Sequence, residues 1–251
     1  MAEVLENPTV TVIVISRDSP LQAHFCLWCL RHALVLSLPF CQCQVVLMDN
    51  GSRRPYPEFE FKRSMPMELI RLDRAACWAG LVNLGSRRYP ADFYFILDQN
   101  ILLSEQVLSG SMGFCRMQAD AGVVAPVLLN PNGAIYQAGL TLTRTGPVAA
   151  EKGRWPQHKQ TLPKEVQAVG GRCMLLRNEV LSDLGGLDET AGLAEVDLCL
   201  RARQCGWRVF CLQQYCALCV APPNEETLDR SWSAMQKFRS RWVNRYTLDQ
   251  L

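Results

Sequence analysis

Residues 9–16 read Thr-Val-Thr-Val-Ile-Val-Ile-Ser, a run in which β-branched side chains follow one another almost without interruption. Such a run is typical of a parallel strand buried on both faces, because helices cover both sides of a parallel sheet. A turn at Asp18-Ser-Pro follows, and residues 21–38 then place apolar side chains on one helical face. The opening of the sequence therefore predicts a strand followed by a helix.

The same alternation continues through the first hundred residues. We predict strands at Gln44 to Met48, Glu68 to Leu72 and 92–97, with a helix over 76–89. Strands that alternate with helices indicate a largely parallel sheet. The fold class predicted is α/β, with a mostly parallel central sheet flanked by helices.

The second half of the sequence is less regular. Residues 141–165 lack periodicity and are interpreted as a surface loop. Pro222-Pro223 precedes an amphipathic helix, predicted over 224–248, which is a candidate surface for a homodimer or a protein partner. The other predicted elements are strands near 123–129, 167–177 and 209–220 and a helix over about 193–204.

Composition and charge exclude some classes of function. The chain has 251 residues, of which 49% are hydrophobic, and this is enough to bury the core of one α/β domain over 1–251. A formal net charge of +2 gives no support to a nucleic-acid partner. We expect a single globular domain that does not bind nucleic acid.

The cysteines and the N-terminus bear on the cellular compartment. No charged-then-apolar export signal opens the sequence, and the apolar runs are too short to span a bilayer. The twelve cysteines are then expected to be reduced thiols in a cytoplasmic protein, with peripheral attachment to the inner face of a membrane left open. Cys26-x-x-Cys29 and Cys216-x-x-Cys219 have zinc-ligand spacing, but packing as small apolar side chains is the preferred interpretation.

Acidic residues follow three of the predicted strands. Asp18 comes after the first, Asp49 after the second and Asp98 after the fourth. Because ligands bind outside the carboxyl ends of parallel strands, these carboxylates are expected at one edge, where they can bond a ribose or base and hold a divalent cation. Asp is also a common turn residue, and we favour that alternative for each singly except Asp98, which has a second polar oxygen nearby at Asn100.

Six blocks of the sequence resemble family 2 glycosyltransferases, in the order that the family has them. Val46-Leu-Met-Asp-Asn-Gly-Ser52 is close to the family's second-strand motif, and Phe95-Ile-Leu-Asp-Gln-Asn100 stands in the place of its Asp-x-Asp motif. The match covers roughly residues 9–220 and is most similar to the rhamnosyltransferase-like and other bacterial surface-polysaccharide branches. The remaining blocks are 11–18, 83–85, 169–177 and the group formed by 185–188, 195–201 and 205–208.

The resemblance implies a fold and a reaction. The fold is GT-A, in which a Rossmann-like nucleotide-binding half, about 9–100 here, joins an acceptor half, about 101–221. The reaction implied is transfer of a sugar from a nucleoside diphosphate sugar to a hydroxyl of a glycan or lipid-linked acceptor, with inversion, in bacterial surface polysaccharide or glycan synthesis. Mg²⁺ or Mn²⁺ is the implied cofactor.

Carried over position by position, the resemblance also assigns residues. Glu195 stands at the position of the general base, where the family commonly has Asp, and Asp197 is the second catalytic carboxylate of that block. Both lie near the start of a predicted helix, so that a favourable interaction with the helix dipole is the alternative role. The other implied positions are Ser16, Asp18, Asp49, Asn50, Gly51 and Asp98 for the nucleotide, Gly170 and Gly171 for the donor–acceptor junction, and Asp98 and Asn100 for the metal.

Several positions depart from the family pattern around the metal. Asn100 replaces the second carboxylate of Asp-x-Asp and is a weaker ligand for a hard cation, and the last predicted strand, Tyr215 to Val220, has no His. Arg53 and Arg54 replace an expected Asp, and are either a metal-free source of positive charge for a diphosphate or solvated loop residues. We therefore expect a weakened or absent metal site. The alternative function is that of a catalytically inactive GT-A-fold binding or scaffolding protein.

Overall fold

The first half of the chain alternates strands and helices as the sequence predicts. The computed structural model describes residues 7–37, 41–57, 65, 67–156, 162–220 and 225–242. The predicted break at Pro222-Pro223 and the last residues of the predicted terminal helix lie outside these ranges. The elements of the first half are β1 (Thr9–Ser16), α1 (Pro20–Ser37), β2 (Gln42–Asp49), β3 (Met67–Arg71), α2 (Trp78–Arg88) and β4 (Phe93–Asp98).

The second half adds strands that extend the same sheet. Within the described residues, ten strands share one sheet whose main path runs β10-β12-β6-β11-β4-β1-β2-β3. The pairs within β3-β2-β1-β4 are parallel, whereas β11 is antiparallel to β4 and to β6. The elements of this half are β5 (Ile101–Leu103), α3 (Val107–Met117), β6 (Ala121–Leu129), β7 (Ile135–Gln137), β8 (Leu140–Thr143), β9 (Gly146–Ala149), β10 (Pro163–Glu165), β11 (Cys173–Arg177), α4 (Asn178–Leu184), α5 (Ala194–Gln204), β12 (Arg208–Cys219) and α6 (Glu225–Trp242).

Apolar layers cover both faces of the sheet, which is why the β-branched run of β1 is buried. Val12 packs in the layer that contains Leu27 of α1, whereas Ile13 packs in the layer that contains Leu81 of α2. Alternate side chains of a strand point to opposite faces, so one strand contributes to both layers. The mostly parallel α/β fold class predicted from the sequence is confirmed.

The structure corrects the prediction of a loop over 141–165. Leu140 and Leu142 alternate with more exposed threonines in β8, which forms a two-stranded hairpin with β9. The hairpin turns at Arg144 and Thr145, and β9 begins at Gly146, whose φ of +131° favours glycine. The two strands have four residues each, and β9 begins with Gly and Pro, so their period-2 pattern is too short to stand out. The strand predicted near 167–177 is also shorter than expected and begins only at Cys173, after two glycines.

The terminal helix α6 packs against its own chain. Phe238 and Trp242 are buried, while Trp232 is 66% exposed. Part of the face that the sequence suggests for dimerisation therefore belongs to the interior of this chain. None of the helices in the described ranges combines the length and apolar character that a bilayer span requires.

Candidate functional site

The carboxyl ends of β1, β2 and β4 meet at one edge of the sheet because these strands are parallel neighbours. Strand order reverses between β1 and β4, and in open α/β sheets ligands bind in the crevice at such a switch point. Ser16, Asp49 and Asp98 end these strands, and Asp18 follows the first. The structure thus brings four of the predicted nucleotide-binding residues to the same edge.

Asp49 and Asp18 organise the loop after β2. The Asp49 carboxylate is fully buried, and its Oδ1 accepts a hydrogen bond of 3.0 Å from the backbone N–H of Ser52. Its Oδ2 lies 3.9 Å from Arg71 Nε and has no hydrogen-bond partner among the described residues. Asp18 donates its N–H to Ser52 Oγ at 2.8 Å and accepts from the Arg53 N–H at 2.7 Å. In this conformation Asp49 lies beneath the surface of the crevice and holds the loop after β2 in place.

Asn50 and Gly51 join the end of β2 to the loop that precedes α2. The Asn50 side chain exchanges two hydrogen bonds with the backbone of Ala76, at 2.8 and 3.1 Å. Gly51 has a φ of +69°, and a Cβ at this position would lie 2.8 Å from the backbone nitrogen of Ala75. These two predicted nucleotide-binding residues therefore fix the shape of the crevice wall.

Gln99, which no motif in the sequence marks, connects the ends of β1 and β4. Its Oε1 accepts from Ser16 Oγ and, at 3.0 Å, from the Arg17 N–H, while its Nε2 donates to the Arg17 carbonyl at 3.2 Å. Ser16 Oγ is also 2.7 Å from Tyr56 Oη. The only sequence indication of this role is the position of Gln99 between Asp98 and Asn100.

A second group of residues meets where α2, the loop before β11 and α5 come together. At Gly171 a Cβ would lie 2.8 Å from Trp78 Cε2 and 3.1 Å from Glu195 Cβ, and Trp78 Nε1 donates to the Gly171 carbonyl at 3.2 Å. The Gly170 N–H donates to Gln137 Oε1 at 3.2 Å, an oxygen that a Cβ at Gly170 would approach to 2.5 Å. A side chain at Gly171 would displace the Trp78 ring, whereas one at Gly170 would displace only the end of the Gln137 side chain. We call Trp78, Gly170, Gly171 and Glu195 the junction.

Glu195 has the electrostatic setting of a proton acceptor. It lies half-buried in the first turn of α5. Burial raises the pKa of its carboxyl group, and a hydrogen bond to the backbone N–H only partly opposes this. A carboxylate with a raised pKa accepts a proton more readily at neutral pH, which is the property that a general base needs.

Asp197 has the geometry of an anchoring residue. It is buried, and its Oδ2 accepts from Arg201 Nε at 2.8 Å. Its Oδ1 accepts from Trp242 Nε1 at 2.9 Å and lies 3.2 Å from Arg241 Nε. Oδ1 therefore holds α6 against α5, whereas Oδ2 pairs with an arginine of α5 itself, and the catalytic role expected for Asp197 stays a prediction.

The residues at the expected metal position do not fit a divalent cation. Asp98 Oδ1 accepts two hydrogen bonds of 2.9 Å from Asn100, one from the backbone N–H and one from the side-chain amide. Arg172 lies opposite Asp98, and its carbonyl accepts the Asp98 N–H at 2.7 Å. In the described parts of the chain, no group of three or more His, Cys, Asp or Glu side chains could hold a metal ion. The Cys26/Cys29 and Cys216/Cys219 pairs are therefore not part of such a group.

Sequence comparison finds no family model that matches the chain. Over 219 residues it is 24% identical to the O-antigen biosynthesis protein RfbC of Myxococcus xanthus, which covers 83% of this chain and 17% of that protein. Over 189 residues it is 24% identical to N-acetylglucosaminyl-diphospho-decaprenol L-rhamnosyltransferase of Mycobacterium tuberculosis, covering 65% of this chain and 62% of that enzyme. The chain thus spans less than two thirds of the length of either relative.

Structure comparison finds glycosyltransferases of the GT-A fold. GalNAc-T7 with UDP, GalNAc and Mn²⁺ superposes with a TM-score of 0.68 at 11% identity, over 92% of this chain and 48% of that one. The mannosyltransferase PcManGT of Pyrobaculum calidifontis with GDP-Man and Mn²⁺ gives a TM-score of 0.67 at 14% identity, over 97% and 66%. S. aureus TarS 1–349 with UDP-GlcNAc gives 0.62 at 12% identity, over 96% and 68%. None of these names points to a non-catalytic role.

Proposed function

We propose a function from the premise that this chain is a GT-A-fold protein similar to the rhamnosyltransferase-like branch of family 2 glycosyltransferases, as its motifs predict and its relatives confirm. The proposed activity is inverting transfer of a sugar from a nucleoside diphosphate sugar to a hydroxyl of a glycan or lipid-linked acceptor. The biological setting proposed is the synthesis of a surface polysaccharide.

The junction carries this proposal. Glu195 meets Gly171 and Trp78 beside the edge of the sheet where Asp98 ends β4, so that a donor in the crevice and an acceptor at the junction can be adjacent. The absence of a side chain at Gly171 lets Trp78 and Glu195 lie directly against the backbone at this point. Holding two reactants in line removes much of the entropic cost of their meeting.

The proposed reaction is a displacement at the anomeric carbon of the donor sugar. The Glu195 carboxylate takes the proton of the acceptor hydroxyl, and the acceptor oxygen forms a bond to the anomeric carbon of the donor. The bond from that carbon to the diphosphate oxygen breaks on the opposite side, which inverts the configuration, and the diphosphate leaves with the electron pair. Interactions that favour the negative charge developing on the diphosphate lower the barrier.

The named relatives support the class of substrate. GDP-Man and UDP-GlcNAc are the donors bound by two of the superposed enzymes, and one sequence relative is named for transfer to a diphospho-decaprenol-linked sugar. A nucleoside diphosphate sugar and a lipid-linked glycan are therefore the first substrates to test. The neighbours also hold Mn²⁺, but Asp98 and Asn100 do not fit that ion here, and no step is assigned to it.

The test is turnover of a panel of nucleoside diphosphate sugars, chosen by a thermal-shift screen of UDP, GDP, dTDP and CMP with and without Mn²⁺. We expect Glu195→Gln to lose about 10²-fold or more in transfer or donor hydrolysis, because the amide cannot accept the proton. Glu179→Gln is the matched control, since Glu179 also lies in the first turn of a helix but is exposed on α4. Full activity in Glu195→Gln would refute the assignment of the base.

A further inference from the structure

Arg172 faces Asp98 across the antiparallel pair of β4 and β11. The register pairs Cys173 with Leu97, and the hydrogen bond of 2.7 Å from the Asp98 N–H to the Arg172 carbonyl continues it by one residue. Residues directly opposite each other in an antiparallel pair project to the same face of the sheet. The Arg172 side chain therefore starts from the same edge of the sheet as the carboxylate implied to be a metal ligand.

The guanidinium group of Arg172 is held in place by two other elements. Its Nη1 donates to Cys219 Sγ at 3.1 Å, and its Cζ lies 5.6 Å from the centroid of the Tyr136 ring. Cys219 is buried at the end of β12, the stretch where many family members place a His ligand. A cation thus lies between the Asp98 strand and the last strand of the sheet.

The local charge favours one guanidinium over a divalent metal ion. Burial lowers the pKa of Arg172, but the charge of Asp98 and the contacts with Tyr136 and Cys219 outweigh it, so that the pKa is raised and the group stays charged. Asn100 contributes no negative charge. Its backbone N–H and its side-chain amide both donate to Oδ1 of Asp98. A divalent cation would therefore meet one carboxylate and a neighbouring positive charge.

We propose that the Arg172 guanidinium binds the diphosphate of the donor and stabilises it as the leaving group, so that this chain does not require a divalent cation. The inference rests on the proposed function. Guanidinium groups bind phosphate oxygens through paired N–H donors, and a fixed cation is most effective where charge develops during the reaction. Arg53 and Arg54, the candidates from the sequence, are exposed on the loop after β2, whereas Arg172 lies beside Asp98 at the carboxyl end of β4, one of the two strands that border the switch point.

The test is calorimetric binding of UDP, GDP and dTDP and of their monophosphates to the full chain, in EDTA and in Mn²⁺. For the nucleotide that binds, we expect the two conditions to give diphosphate Kd values within about twofold of each other. Arg172→Ala is expected to weaken diphosphate binding by about tenfold or more in both conditions and to leave monophosphate binding nearly unchanged. Arg172→Lys should recover part of the loss, since it keeps the charge without the paired donors.

The control variant is Arg87→Ala, which removes an exposed arginine from the last turn of α2, at the opposite end of that helix from the crevice. It is expected to bind diphosphates like the wild type. Thermal midpoints identify variants that do not fold, and Arg172→Lys carries the test if Arg172→Ala is one of them. Diphosphate binding that requires Mn²⁺, or that ignores both Arg172 substitutions, overturns the inference and leaves the proposed function standing. Absence of binding by every nucleotide overturns both.

Discussion

At the scale of single residues, Glu195 predicts a pH dependence. Burial raises the pKa of its carboxyl group, and the base acts only when deprotonated, so activity is lost as pH falls through this raised pKa. We expect the acidic limb of kcat/KM for donor turnover to lie above about pH 4.3, the ordinary value for Glu. The measurement is a pH profile of turnover. A profile that stays flat down to pH 4 would contradict the role of Glu195 as the base.

Asn100 allows the metal site to be rebuilt. Asn100→Asp places a second carboxylate beside Asp98, but the Arg172 charge remains and opposes a cation there. We expect Asn100→Asp combined with Arg172→Ala to bind a nucleoside diphosphate about tenfold more tightly with Mn²⁺ than without it, and Asn100→Asp alone to show a smaller effect. Calorimetry with and without Mn²⁺ measures both. An equal response in the single and double variants would show that Arg172 does not compete with the cation.

The residues found from the sequence are those that a strand end or a family block marks. Asp98, Gly171 and Glu195 are of this kind, and the structure places the last two in contact. The sequence does not mark Gln99 and Arg172, because their roles come from the pairing of β4 with β1 and β11, which no local pattern predicts. The family block marks Asp197, but it does not predict the burial of Asp197 under α6, because that contact joins two separate helices.

At the scale of elements, two glycines in helices predict opposite effects of alanine. A Cβ at Gly85 of α2 would lie 2.6 Å from Ile13 Cδ1 and 2.9 Å from Met48 Cε, both buried, whereas nothing lies within 4 Å of a Cβ at Gly113 of α3. We expect Gly85→Ala to lower the free energy of unfolding by about 1–3 kcal/mol through overpacking. Gly113→Ala is expected to raise it by about 0.5–1 kcal/mol, since alanine is the better helix former. Urea denaturation measures both.

Equal effects of the two substitutions would contradict the close packing of α2 on β1.

Burial on both faces of the sheet explains which elements were predictable from the sequence. Strands β1, β2 and β4 are buried on both faces, so their composition is distinctive, whereas β8 to β10 have three or four residues each, and β9 and β10 begin with Gly or Pro. Helix α3 was absent from the predictions, although Val107, Leu108 and Met112 give it a buried face.

At the scale of the whole molecule, the Asp197 contact with α6 contributes to global stability. Asp197→Asn leaves Arg201 and Arg241 without a buried carboxylate, and removal of one partner of a buried ion pair is costly. We expect a loss of about 3 kcal/mol in the free energy of unfolding. Asp188→Asn is the control, because Asp188 also pairs with Arg241 but is partly exposed, and a loss of about 0.5–1 kcal/mol is expected. Chemical denaturation measures the free energy of unfolding of both variants. An equal loss in Asp197→Asn and Asp188→Asn would contradict the anchoring role of Asp197.

The order of the motifs along the chain predicted the global architecture better than any single block did. The GT-A fold and the rhamnosyltransferase-like resemblance follow from blocks spread over most of the chain, and the comparisons confirm them. The continuity of the sheet across both predicted halves came only from the structure, because β11 returns to pair with β4. Antiparallel insertion of this kind leaves no periodic pattern in the sequence.

The indole of Trp242 gives this chain an intrinsic optical reporter. Its N–H is bonded to Asp197 and its ring is 3% exposed, whereas the Trp155 and Trp232 rings are open to solvent. Release of the end of α6 would move one emitter from a shielded to an aqueous environment, with a red shift and new sensitivity to acrylamide quenching. Helix α6 is attached at Asp197, two residues after Glu195 in the sequence. Tryptophan fluorescence can therefore follow the attachment of this helix without a label.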